Sequence, residues 1–240
     1  MSRMLVLVYG VVAYLAFLAV FAASVAFVGN VGYVRGVDGG EQGAVAVSLA
    51  IDLALVALFG VPHSMMARPW FKEGLVRVIP RAAERSTYVL VASVTLGLVL
   101  WQWRPLPMSV WSVDASGVRA VLWGVSGVGV LLVVYSTFLT DHFDLCGLRQ
   151  VWLHARGHSY APTPFTERSL YRHVRHPMML GMLLWFWSTP TMSVGHLAFA
   201  AGMSVYIFAG VALEERDLAR RLGEAYVQYR TRVGRFIPRL

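Results

Sequence analysis

The sequence predicts an all-α fold, a polytopic helical bundle in a membrane: four N-terminal spans, then a C-terminal helical hairpin whose first arm is short. Three observations predict it. Of 240 residues, 57% are hydrophobic and 14% charged, and the mean hydropathy is +0.59; soluble domains sit at roughly 45–50% apolar and about 25% charged. The apolar residues gather into runs long enough to cross a bilayer, which takes about 20 residues of helix. The basic residues collect at the ends of those runs, where they set membrane orientation.

The first run covers residues 4–28, too long for the apolar stretch of a cleaved signal peptide. The second covers 44–66 in spite of Asp52, the third 87–103 and the fourth 118–140. A charge inside a span calls for a partner, and Arg119 or a polar group of the first span would serve Asp52. The Gly-rich "GVDGGEQG" (36–43) reads as an exterior turn. Residues 177–189 are apolar but short; at about 1.5 Å per residue they cannot cover a core of roughly 30 Å. "TPTMS" (189–193) breaks the run, and 194–213 follows as a full span.

Lys and Arg decide what the short run does. Alternate loops carry 18 of the 21, leaving Arg35, Arg104 and Arg119 for the other side. If 177–189 failed to pair with 194–213, seven arginines of the tail would land outside, against the positive-inside rule. The two segments therefore form a hairpin that returns to its starting face, and both termini and both basic loops are cytoplasmic. The chain reads as a single membrane domain, 1–240. Within it lie a four-span bundle (1–140), a cytoplasmic or interfacial connector (141–176), and a hairpin with its tail (177–240).

The net charge of +8 does not indicate nucleic acid, because it sits at span ends. No obligate protein partner is implied. Cys146 is the single cysteine, so no internal disulfide forms, and a buried thiol is the expected role. "GVGVLL" (127–132) lacks the last glycine of a dinucleotide-binding loop and lies inside a span, which excludes a Rossmann domain. His154 and His158 in "HARGH" have metal-ligand spacing, but the intervening glycine and loop composition speak against a metal.

The chemistry concentrates on the basic face. In "RSLYRHVRHPMMLG" (168–181), Arg172, Arg175 and His176 crowd against Pro177. Proline suits the first turn of a helix, whose free N–H groups attract anions. In "LEERDLARRLGEAYVQYRTRVGRFIPRL" (213–240), Glu214 and Glu215 follow directly on an apolar span. They point in adjacent directions on a helix, so at least one faces inward, where it would accept hydrogen bonds from an amine or a ribose diol. Tyr226, Tyr229 and Val233 make one helix face suited to folding back on the membrane mouth. An anion site at one helix start and acids at the end of its antiparallel neighbour suit a ligand with carboxylate, amine, ribose and base. S-adenosylmethionine answers that description, and so does part of a dinucleotide.

"RHP…G", a hairpin, then "EERDL…G…Y…Y…VGRFIP" resembles the integral-membrane methyltransferases typified by isoprenylcysteine carboxyl methyltransferase, a layout that phospholipid methyltransferases and some membrane sterol reductases share. "GVPHSMMARPWFK" (60–72), "ERSTYVL" (84–90), "TDHFDLCGLRQVW" (140–152) and "FWSTPTMSVGHLAFA" (186–200) resemble the bacterial methanethiol S-methyltransferases. Met179 and Cys146 stand where that pattern has aromatics. The resemblance implies a bacterial cell-membrane enzyme that methylates a small thiol, methanethiol to dimethyl sulfide, with S-adenosylmethionine as cofactor. It implies that Tyr171, Arg175, His176, Pro177, Gly181, Glu214, Glu215 and Tyr229 line the cofactor site. His63, Arg68, Asp141 and His142 would build the thiol side, with His142 held by Asp141, or His63 beside Arg68, as the base. The alternatives are a methyltransferase of a lipid or prenyl substrate, a membrane reductase using NADPH, and a non-enzymatic membrane protein of the denitrification-associated type.

Overall fold

The computed structural model describes residues 2–31, 35–163 and 167–239. Helix dominates them. Five helices are long and apolar enough to cross a membrane: α1 (Arg3–Gly29), α2 (Val45–Met66), α4 (Glu84–Gln102, entered through a 3-10 turn at Arg81–Ala83), α5 (Ser116–Leu139) and α9 (Val194–Leu222). Short elements join them: α3 (Pro69–Leu75), α6 (His142–Leu145), α7 (Leu148–Ala155), α8 (Pro177–Trp187) and α10 (Glu224–Arg232), with strands β1 (Ser109–Ser112) and β2 (Thr191–Ser193). Each predicted span is present, and α9 continues as helix well past residue 213. The short arm is α8, with 11 residues.

Contacts sort the chain into two compact units. The first comprises Met1–Met108, Asp141–Thr163 and Ser193–Ala198. Within it α4 packs on α1 and α2, and α7 lies against α1. Ser2 caps α1, its hydroxyl accepting from Leu5 N at 3.3 Å. At the other end Asn30 adopts a left-handed φ of 49° and its N–H reaches back to the carbonyls of Ala26 and Phe27, the usual way to close a helix. Asn30 then pins the turn that follows, its amide donating to Asp38 Oδ2 at 2.7 Å. Leu5, Val8 and Leu15 point outward from α1, an apolar exterior that suits lipid.

Asp52 is fully buried, and its Oδ1 accepts the backbone N–H of Arg104 at 2.8 Å, at the end of α4. The expectation that Arg119 or a polar group of the first span partners it is corrected. Arg104 lies beyond the helix ladder, where a main-chain N–H still needs an acceptor, and the carboxylate supplies one. Arg119 instead donates to Val113 O at 3.1 Å.

The second unit comprises Ser109–Thr140, Pro164–Met192 and Phe199–Leu240. Its main contact is α5 on α8, and glycines make it possible. A methyl on Gly129 would lie 2.6 Å from Gly181 O, and one on Gly181 would lie 2.7 Å from Gly129 O. Small residues let helix backbones approach this closely inside membranes. Ser126 donates to Trp185 O at 3.2 Å across the same seam. The α8–α9 hairpin is tied by Trp187 Nε1 donating to Ser204 Oγ at 2.9 Å and by the edge-on pair Phe186–Phe199. Beyond α8, β1 pairs with β2, and Trp111 Nε1 donates to Thr189 O at 3.2 Å. The Tyr226, Tyr229 and Val233 face packs on Leu218, Ala219 and Leu222 of α9.

Candidate active site

In the second unit the RHP segment is held as a strand-like edge. Val174 bridges Gly234, Arg175 N donates to Gly234 O at 2.9 Å, and His176 N donates to Arg235 O at 3.1 Å. That pairing turns both side chains inward, where each is 6% exposed. Pro177 then opens α8, as its missing N–H and fixed φ favour.

Glu215 gathers the charges. Arg175 donates to its Oε1 from Nε and from Nη2, both at 2.9 Å. His176 Nε2 lies 3.1 Å from the same oxygen, and Arg235 Nη2 donates to Oε2 at 2.6 Å. Arg175 spends its other nitrogen on the end of α10, donating from Nη1 to the carbonyls of Arg230 and Val233. Helix C-terminal carbonyls favour a cation. A buried carboxylate with two guanidiniums and an imidazole has little capacity left for a ligand.

Glu214 is different. Its side chain is 50% exposed against 3% for Glu215, and it faces His176 Nδ1 at 3.7 Å. Adjacent positions on a helix point about 100° apart, so one acid turns into the ionic cluster and the other remains available. Burial, and next the charge of Glu214, push the Tyr171 hydroxyl up to about 12, so it stays protonated beside that carboxylate. Burial likewise holds His176 below the ordinary histidine value, opposed by Glu214 and Glu215. Tyr229 is buried and donates to Tyr171 O at 2.6 Å, so it positions the Tyr171 backbone. Gly181 lies in the α5–α8 seam.

In the first unit two histidines each meet a tyrosine hydroxyl. His142 Nε2 shares a hydrogen bond of 2.9 Å with the Tyr14 hydroxyl, inside a box of Phe17 and Phe143. His63 Nε2 lies 2.5 Å from the Tyr88 hydroxyl, and Arg85 sits 4.8 Å over the Tyr88 ring while donating to Leu145 O at 2.6 Å. Asp141, expected to hold His142, acts on it through its charge. Asp141 caps α6, accepting from Asp144 N at 3.1 Å with a left-handed φ of 69°, and its other oxygen faces Arg149 at 3.8 Å. Arg68 donates to Ser64 O at 3.2 Å, and the guanidinium stacked beside the His63 pair is that of Arg85.

Tyr14, Tyr88 and Arg85 escaped sequence reading. "ERSTYVL" contains two of them, so the signal was in a motif already noted. Burial keeps His142 below the ordinary histidine value, against the pull of Asp141, so it is neutral at neutral pH. Burial pushes the Cys146 thiol up to about 11, which leaves it an inert thiol.

The profile of the NnrU protein family matches residues 53–231. The methanethiol S-methyltransferase of Mycobacterium tuberculosis is 44% identical over 238 residues, covering 99% of this chain and 98% of its own. That of Crocosphaera subtropica is 42% identical over 99% of this chain and 93% of its own. More distantly, pig Nurim is 29% identical over 73% of this chain and 70% of its own. No solved structure matches. With near-complete overlap and more than two residues in five shared with the bacterial proteins, this chain belongs to the methanethiol S-methyltransferase family and to the wider NnrU family.

Proposed function

We propose that this chain is an S-adenosylmethionine-dependent thiol S-methyltransferase of the membrane, converting methanethiol to dimethyl sulfide. The full-length similarity to proteins named for that activity carries the reading. The same similarity does not favour a lipid methyltransferase or a nicotinamide-dependent reductase. The basic loops and both termini face the cytoplasm of a bacterial inner membrane by the positive-inside rule.

The residues suit the cofactor. Glu214 is exposed and lightly engaged, so it would accept from an amine or a ribose diol. Tyr171 keeps a hydroxyl proton to donate, and His176 presents an imidazole beside Glu214. Arg175, Glu215, Pro177, Gly181 and Tyr229 would shape the site from behind, through the contacts they make with the chain. When bound, S-adenosylmethionine supplies a methyl group on a sulfonium, the electrophile.

The chain's own part is to handle the proton of the thiol and to exclude water. A simple alkyl thiol is mostly protonated at neutral pH, so a base is needed. His142, neutral and bonded at Nε2 to Tyr14, would take that proton, the Tyr14 hydroxyl relaying it. His63 with Tyr88 is a second pair of the same kind, with Arg68 nearby in sequence and Asp141 fixing the turn that carries His142. A low-dielectric setting favours a reaction in which opposite charges cancel.

Headspace gas chromatography of the purified protein given methanethiol and S-adenosylmethionine tests this, alongside Glu214→Ala. Dimethyl sulfide from the wild type, reduced roughly tenfold to a hundredfold in the variant, is expected, the loss matching a charge-assisted hydrogen bond to ligand. Cofactor binding by calorimetry without dimethyl sulfide would keep the methyltransferase and discard the thiol. Neither would discard both.

A further inference from the structure

A cavity of about 280 Å³ opens in the first unit where α2 begins and α4 has ended, at the arginine-poor end of the spans. Glu41, Gln42, Val47, Ser48, Ile51 and Arg104 line it.

Arg104 draws attention by comparison with its peers. Three arginines stand on the side that the positive-inside rule disfavours, and two are occupied by carbonyls. Arg35 donates to Gly39 O at 3.0 Å and to Trp101 O at 3.3 Å; Arg119 donates to Val113 O at 3.1 Å. The Arg104 Nε is buried with no acceptor among the described residues. Its backbone is fixed by the bond to Asp52, so the side chain is presented to the cavity from a rigid base. Nearby, the first turn of α2, which includes Val47, has no side-chain cap. A cavity, a buried guanidinium N–H without an acceptor and an uncapped helix start all ask for an anion.

Two further features narrow the ligand. Glu41, exposed at the rim, adds one negative charge to a site that otherwise wants one, so the ligand carries a cation as well. Val47 and Ile51 supply an apolar wall beside the polar groups. We propose that this cavity seats the headgroup of an amine-bearing phospholipid, its phosphate on Arg104, its ammonium on Glu41, and its glycerol end along Val47 and Ile51. The proposal is independent of the methyl-transfer reading.

Native mass spectrometry of the full chain, released from nanodiscs with equal phosphatidylethanolamine, phosphatidylcholine and phosphatidylglycerol, tests it. The wild type should retain phosphatidylethanolamine about tenfold over either competitor, in line with one charge-assisted hydrogen bond. Arg104→Gln should lose retention of all three, and Glu41→Gln should retain phosphatidylethanolamine and phosphatidylcholine equally. Because Asp52 holds the main-chain N–H of residue 104, Arg104→Gln leaves that contact in place. Should it nonetheless unfold, the Glu41→Gln ratio decides alone. An unchanged ratio in Glu41→Gln, wild-type retention in Arg104→Gln, or displacement of the lipid by inorganic phosphate alone would each overturn the assignment.

Discussion

The two units deal with buried polar side chains in opposite ways. In the second, Glu215, Arg175, His176 and Arg235 are charged or chargeable and spend their bonds on one another and on the end of α10. In the first, two histidines each meet one phenol, Tyr14 with His142 and Tyr88 with His63. A saturated ionic cluster holds shape, because every group in it depends on the others. A neutral pair can gain a proton without losing its partner. On the function proposed above, the difference separates framework from working chemistry, although the residue types are alike.

The largest expected break is Glu215→Ala. Removing one partner of a buried ionic group costs about 3–5 kcal/mol, and each kcal/mol shifts melting by roughly 2–4 °C at this chain size. Thermal unfolding in detergent should therefore show a fall on the order of 10 °C, and an unchanged midpoint would remove Glu215 from the framework.

Next in size is Tyr14→Phe, which removes one hydrogen bond worth about 0.5–1.5 kcal/mol. Turnover should drop roughly tenfold at most while the melting midpoint falls by only a few degrees, on the order of 1–6 °C. The pH profile sharpens this. His142 has a folded pKa below its unfolded value of about 6.5. The folded chain thus binds fewer protons than the unfolded chain, and this contribution to stability is full above the unfolded value and lost as pH falls from there through the folded value. His176 acts in the same direction. Activity should persist below pH 6.5 and then fall as His142 protonates. An acid limb that survives in His142→Ala would assign the proton to another group. The smallest effect is expected for Cys146→Ala, since a thiol pushed up to about 11 is protonated at neutral pH. Turnover should stay within about twofold, and a larger loss would make the thiol part of the chemistry.

Spans were legible because hydropathy acts over some 20 residues, so a few misplaced ends change little. The short arm was legible for a related reason: length and arginine count left one arrangement. Side-chain partners were another matter. Nothing in the sequence joins Tyr14 to His142, which lie 128 residues apart. Asp52 was recognisable as needing a partner, but its partner is a backbone N–H, which no residue type announces. The adjacency of Glu214 and Glu215 showed that one would face inward, not which one. Gly181 read as part of a cofactor motif; that Gly129 meets it depends on how α5 lies on α8.

The short arm has a mechanical consequence for the surrounding lipid. At about 1.5 Å per residue, the 11 residues of α8 span roughly 16 Å while the 24 residues of α5 beside it span roughly 36 Å. Past the end of α8 the chain satisfies its own backbone, with Val113 N donating to Pro190 O at 2.9 Å and Thr189 Oγ1 to Thr191 O at 2.8 Å, where lipid offers no hydrogen bonds. The flank of α8 is therefore a place where acyl chains must shorten or tilt, at a modest elastic cost per ångström of mismatch. The bilayer around this protein is a fitted part, and its thickness becomes a variable of the protein's own stability.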